Sequence, residues 1–258
     1  MRGAAFLSGH KDAIVVDIGG TTTDFGVIKE GFPRESSIPV DIGGVRTNFR
    51  MPDLISIGLG GGSIISLNEN DISVGPESVG YKLSSESLIF GGKTLTTSDI
   101  AVAKGIANFG DKNKVKHLQV SVIDDSLEKV KEMVEEGIDR IKLNKDLVPV
   151  VLVGGGSILV KGDLKGAKEV LIPEHSDVAN AIGASLAQAG GEIDKIYSYN
   201  DIGREKAIDL AKKDAINRAI QAGAIKDTIN IIELEEIPLS YLPSGAVRLH
   251  VKAVGDIF

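Results

Sequence analysis

Residues 17–24 read D-I-G-G-T-T-T-D and follow directly on the apolar run Ala13, Ile14, Val15 and Val16. A buried strand that runs into two glycines and three threonines suits a phosphate cradle. Glycine lets backbone N–H groups close on phosphate oxygens, and the hydroxyls of Thr21, Thr22 and Thr23 add donors beside Gly19 and Gly20. The carboxylates of Asp17 and Asp24 would repel a phosphate, so a divalent cation between them is implied. A capped turn could use the same residues, but aspartates on both sides of G-G-T favour a ligand. Asp24 has two open roles, binding the metal or orienting a nucleophile.

A second ligand-grade stretch is Gly154, Gly155, Gly156 and Ser157, delivered by the apolar run 147–153. A tight turn after a core strand is the competing explanation. A third glycine run, Gly60, Gly61, Gly62 and Ser63, reads first as a turn between strands and second as the substrate side of a cleft. Two decoys fail on spacing. Gly92-Lys93-Thr94 lacks the first glycine of a P-loop because position 87 is Ser87, and the G-x-G starting at Gly58 ends on Ser63 rather than glycine. His10, His117, His175 and His250 lack metal-ligand spacing.

The elements around these loops follow from periodicity. The run 25–29 is a second strand, closed by turn chemistry at 30–33, so the first loop is a hairpin crest and not the entry to a helix. Short glycine-broken strands are expected at 38–42, 54–57, 64–67 and 72–74, with a turn at 68–71. A helix capped at Ser98 should end near Gly110, and a longer amphipathic helix should start at 124–126. Thr97, Ser98 and Asp99 fit either helix capping or a contribution to a site. Strand 169–172 should precede an alanine-rich helix ending near Gly190 and Gly191. Residues 192–258 read as a separate small strand-helix-strand-strand unit, with its helix at 203–222 and strands at 228–236 and 246–254, after a larger unit at 1–191.

The chain has 258 residues, a net charge of −7, 42% apolar residues, 25% charged residues and no cysteine. An acidic chain without a basic stripe is a poor nucleic-acid partner. The lack of cysteine removes thiolate metal sites and cysteine nucleophiles, and fits a cytoplasmic protein. No apolar run is long enough to span a membrane.

Residues 17–24 resemble the second phosphate loop of the hydantoinase/oxoprolinase family, ATP-dependent amidohydrolases in the actin, Hsp70 and sugar kinase superfamily. Residues 57–63 and 74–78 are similar to further family stretches, 153–157 resembles the adenosine-side loop, and 238–241 with 247–255 resembles the small C-terminal unit of hydantoin-utilisation A-type proteins. The resemblance implies an α/β chain: one half of an actin-like ATPase (ribonuclease H-like) fold, with a mixed sheet, a hairpin phosphate loop and flanking helices, plus a small α+β unit. It implies ATP with Mg²⁺ or Mn²⁺, and ring opening of a cyclic amide such as hydantoin or 5-oxoproline by phosphoryl activation. Asp17 would hold the metal, Gly19 to Thr23 the phosphates, and Gly154 to Ser157 the adenosine. Full-length members carry an earlier homologous half, so the chain is expected to be a C-terminal half, inactive alone, self-associating, and completed by the missing half and by a B-type subunit. A kinase, or a reactivase or assembly module of the same superfamily, is the alternative.

Overall fold

The computed structural model describes residues 1–35, 41–42, 45–46, 52–68, 71–186, 188–240, 242 and 245–257. Parts of the expected strand 38–42 and turn 68–71 lie outside the described residues, as do Gly43, Gly44 and Tyr241. The chain divides into two compact units, Met1–Ser185 and Leu186–Phe258.

The first unit runs α1 (Arg2–Ser8), β1 (Ala13–Ile18), β2 (Thr23–Lys29), β3 (Phe32–Pro33), β4 (Asp41–Ile42), β5 (Val45–Arg46), β6 (Leu54–Ile57), β7 (Ser63–Asn68) and β8 (Asp71–Ser78). Then come α2 (Leu83–Glu86), α3 (Thr97–Lys104), α4 (Val120–Ile141), β9 (Val148–Val153), β10 (Ala167–Leu171) and α5 (Ala179–Ser185). Its main sheet has the order β10-β9-β1-β2-β3, with β6 also paired to β2. β1 and β2 are antiparallel, whereas β1, β9 and β10 are parallel, so the sheet is mixed. Near-continuous apolar strands at its centre fit burial on both faces.

Alternation along β1 sends Ile14, Val16 and Ile18 into the larger core, which they share with Val130, Val134 and Ile138 of α4. Ala13 and Val15 turn to the other face, against Ala4 of α1 and Ala179 of α5. Each fully buried aliphatic side chain contributes about 1.5–3 kcal/mol. α4 starts earlier than its internal acids suggested, with Gln119 as a cap that makes no side-chain bond. α3 is capped by Thr96 rather than Ser98. The Thr96 hydroxyl accepts from the Asp99 N–H while the Asp99 carboxylate accepts from the Thr96 N–H, and Gly105 in the left-handed region ends the helix.

The second unit runs β11 (Gln188–Ser198), α6 (Tyr199–Ile202), α7 (Arg204–Gln221), β12 (Asn230–Pro238) and β13 (Ala246–Asp256), with sheet order β11-β13-β12. Gly190 and Gly191, expected to end a helix, are paired residues of β11 opposite Val254 and Ala253. The reason lies in close packing: a Cβ on Gly191 would come within 2.2 Å of Ala215 O and Ala219 N of α7. Ala207, Ala211, Ala215 and Ala219, at helical spacing on one face of α7, are fully buried there. At one end the Tyr199 hydroxyl donates to Glu236 Oε2 at 2.6 Å, and Arg204 Nε donates to the same oxygen at 2.9 Å. Burial first, and the Glu236 bond second, push the Tyr199 phenol up to about 12.

Candidate functional site

The β1–β2 register places Asp17 opposite Asp24 and Ile18 opposite Thr23. Opposed residues share a face with Cβ atoms about 4.5–5.5 Å apart, so both carboxylates leave the sheet on the side of α1 and α5. Both are half-buried. Asn180 Nδ2 of α5 donates to Asp17 Oδ2 at 3.1 Å, and the Ser56 hydroxyl of β6 donates to Asp24 Oδ1. Asp17 Oδ1 and Asp24 Oδ2 receive no donor among the described residues.

Thr23 turns the opposite way. It is fully buried, and its hydroxyl donates to Leu59 O at 2.7 Å, so it anchors the next loop and does not open to solvent. Gly19 N–H donates to Thr22 O at 2.9 Å and closes the crest, with Thr21 and Thr22 exposed on it.

The 58–63 loop lies against this crest. Gly61 N–H donates to Gly19 O at 3.0 Å, and Gly62 N–H donates to Gly20 O at 2.7 Å. Any side chain at Gly60 would meet Thr21 N at 2.5 Å. Ser63 is buried and its Oγ accepts from Gly60 N–H at 2.8 Å. The first turn of α3 holds the loop from behind, with Thr97 donating to Gly60 O and Ser98 Oγ donating to Gly61 O at 2.7 Å.

The triple glycine reaches the crest because β9 lies parallel to β1 with Asp17 beside Val153. Gly154 has φ +84°, and a Cβ there would lie 2.5 Å from both Asp17 Oδ1 and Ile18 O. Gly156 N–H donates to Ile18 O at 2.8 Å. Ser157 is buried, its N–H donating to Gly154 O at 3.1 Å.

The structure therefore brings together all three glycine loops picked from the sequence. Between them is a cavity of ≈ 180 Å³ lined by Gly19, Gly20, Gly61, Gly155 and Gly156. Ser98, Ala101, Phe109, Ile158 and Leu159 complete its lining. Of the third glycine run, Gly61 lines this cavity with the crest, while Gly60, Gly62 and Ser63 do not. Asp17 and Asp24 do not line it; Asp17 meets Gly154, whose chain neighbour Gly155 does. Phe109 and Ile158 carried no sequence signal beyond hydrophobicity. Asn180 and Ser56 could not be found either, since their partners depend on packing. Ser98 is not the cap of α3; it lines the cavity and ties down Gly61 O.

Among the described residues no cluster of three His, Cys, Asp or Glu side chains suits a metal. Mg²⁺ needs less: it keeps several waters and is held by one or two carboxylates together with substrate phosphates. Asp17 and Asp24, on one face with an open oxygen each, fit that requirement.

The mixed sheet, hairpin crest and flanking helices define an α/β protein of the actin-like ATPase fold. The same fold is seen in nucleotide-free acetone carboxylase (TM-score 0.63, 17% identity) and in the ATP-dependent caprolactamase from Pseudomonas jessenii (TM-score 0.68, 18% identity). Each match covers 98% of this chain and 48% of the other. Residues 1–109 match the hydantoinase/oxoprolinase family. The resemblances noted at 153–157 and 238–255 lie outside the matched residues. The gamma subunit of acetophenone carboxylase from Aromatoleum aromaticum is 30% identical over 113 residues, which span 42% of this chain and 15% of that subunit. The chain thus spans about half of the solved chains it matches, at 48%, and a smaller part of the curated relative. Among the described residues no helix is long and apolar enough to cross a membrane.

Proposed function

We propose that this chain forms part of an ATP-dependent enzyme that activates a small carbonyl compound, in the finer reading a cyclic amide opened by hydrolysis. The observation that carries this is the hairpin crest with Asp17 and Asp24 on one face, each oriented by a neutral donor, beside two further glycine loops. The relatives' names support the coarser reading, being ATP-dependent enzymes acting on acetone and caprolactam and a carboxylase of acetophenone.

In this reading Asp17 and Asp24 hold magnesium, and the crest amides after Gly19 together with the Thr21 and Thr22 hydroxyls hold phosphate oxygens. Thr23, Ser63 and Ser157 keep the loops in register. Bound ATP supplies a phosphoryl group that turns a poor amide electrophile into one water can attack. The chain's contribution is positioning and charge stabilisation. The remainder of the enzyme, a homologous half and a B-type subunit, completes the site, and the working compartment is the cytoplasm. Asp17→Asn in the complete protein tests the reading: magnesium-dependent ATP hydrolysis should fall at least a hundredfold with an unchanged circular dichroism spectrum. Undiminished hydrolysis would remove Asp17 from the metal site.

A further inference from the structure

The chain's lysines are unevenly placed. Residues 88–118 hold five lysines and two aspartates, so this stretch carries +3 while the other residues of the −7 chain together carry −10. Asp99 is fully buried and spends its carboxylate on backbone N–H groups, and Lys104 pairs with Asp124. Lys93, Lys112, Lys114 and Lys116 are exposed, and among the described residues they enter no ion pair.

Two loops gather these charges around an aromatic pair. Asp111 N–H donates to Ile89 O at 2.8 Å, which ties the segment 108–116 to the turn 90–94. There Phe90 and Phe109 stack with ring centroids 6.4 Å apart, yet they stay 42% and 40% exposed. A Cβ added at Gly91 would lie 3.4 Å from Lys114 Nζ, so that ammonium hangs over the turn beside Phe90. Lys112 Nζ lies similarly close to Gly105, at the C-terminal end of α3, where a cation already has a structural use.

A stacked apolar pair left in water with cations at its margin has the make-up of an interface, an apolar centre inside a charged rim. The rim sets the sign of what it attracts. A nucleic acid would carry its run of charge onward over the acidic remainder, and a second copy would bring the same net −7. A short acidic polypeptide matches the patch without either penalty.

We propose that Phe90 and Phe109, with Lys93 and Lys114, form a docking surface for an acidic segment of another protein, seated by an apolar side chain against Phe90. Phe109 also lines the cavity and Phe90 does not, so the surface extends beyond the glycine loops. The proposal does not depend on the ATP-dependent reading.

Fluorescence anisotropy would follow a labelled peptide of glutamates with interspersed phenylalanines binding to the full chain. Saturable binding should weaken about tenfold as salt rises from about 0.05 to about 0.3 M. Lys93→Glu combined with Lys114→Glu should weaken it about tenfold and Phe90→Ser about fivefold, with Phe90→Leu restoring most of that loss and the far-UV circular dichroism unchanged throughout. Lys145→Glu, past the far end of the 22-residue α4, should leave binding unaltered. The proposal is overturned by no saturable binding, by equal binding of a peptide with glutamine in place of glutamate, or by equal weakening from Lys145→Glu. It is equally overturned if oligothymidylate binds more tightly with the same lysine dependence, or if sedimentation shows the chain dimerising through these lysines, since either result names a different occupant.

Discussion

Gly154 and Gly155 are adjacent, yet they should respond oppositely to the same added methyl group. At Gly154 an alanine must adopt φ +84°, which costs about 1–2 kcal/mol for an L-residue. Its Cβ would also sit 2.5 Å from Asp17 Oδ1 and from Ile18 O, one of them backbone that cannot swing aside. Relieving such overpacking costs about 1–3 kcal/mol, so Gly154→Ala should lose about 2–5 kcal/mol in all. At Gly155 nothing lies within 4 Å of the added Cβ, and alanine should change stability by less than about 0.5 kcal/mol. With a urea slope of about 2 kcal/mol/M, the first variant's midpoint should fall by roughly 1–2.5 M and the second's by under about 0.3 M. Far-UV circular dichroism across a urea series reads both. Coincident midpoints would refute the claim that the triple-glycine turn is wedged against the β1 end.

Removing the Asp99 side chain should be costly, because it is fully buried and accepts from Ile89 N–H and Thr96 N–H at 2.8 Å each. Asp99→Ala should destabilise the first unit by about 2–4 kcal/mol, seen as a lowered thermal midpoint, with Asp99→Asn intermediate. Asn180→Ala should raise the magnesium concentration needed for half-maximal ATP hydrolysis about fivefold, on the order of 1 kcal/mol for one bond to a carboxylate; an unaltered requirement would remove Asn180 as the group that orients Asp17. In the second unit, Tyr199 should ionise near pH 12 in a 295 nm titration, and Glu236→Gln should bring that step down. The folded phenol holds its proton more tightly than the unfolded one. Its contribution to stability is therefore fully present below the ordinary tyrosine range, near pH 10, and is lost as pH rises from there toward 12.

Local chemistry made the hairpin legible: an apolar strand, a glycine and threonine crest, a second strand and a Glu30-Gly31 turn were all expected, and β1 and β2 form as read. The loops at 60–63 and 154–157 were also visible, but their meeting was not, because it depends on β9 lying parallel to β1 across a long sequence separation. Misreadings came where tertiary packing overrode propensity. Gly191 looked like a helix end, yet it is glycine so that α7 can approach the sheet. α1 was missed because Gly3 weakens a short helical run; a Cβ there would meet Ala179 O at 1.9 Å, so α5 dictates that residue. Within the site, Thr23 matched the phosphate pattern by type but faces the core, since side chains alternate along a strand and Asp24 takes the outward place.

That alternation gives the hairpin an unforgiving property. Asp17 and Asp24 share one face only while they remain opposite each other. A slip by one residue, as from a single deletion in β1, would drive a carboxylate inward and expose aliphatic side chains in its stead. A deletion in this segment would therefore separate the acidic pair and breach the core in the same event.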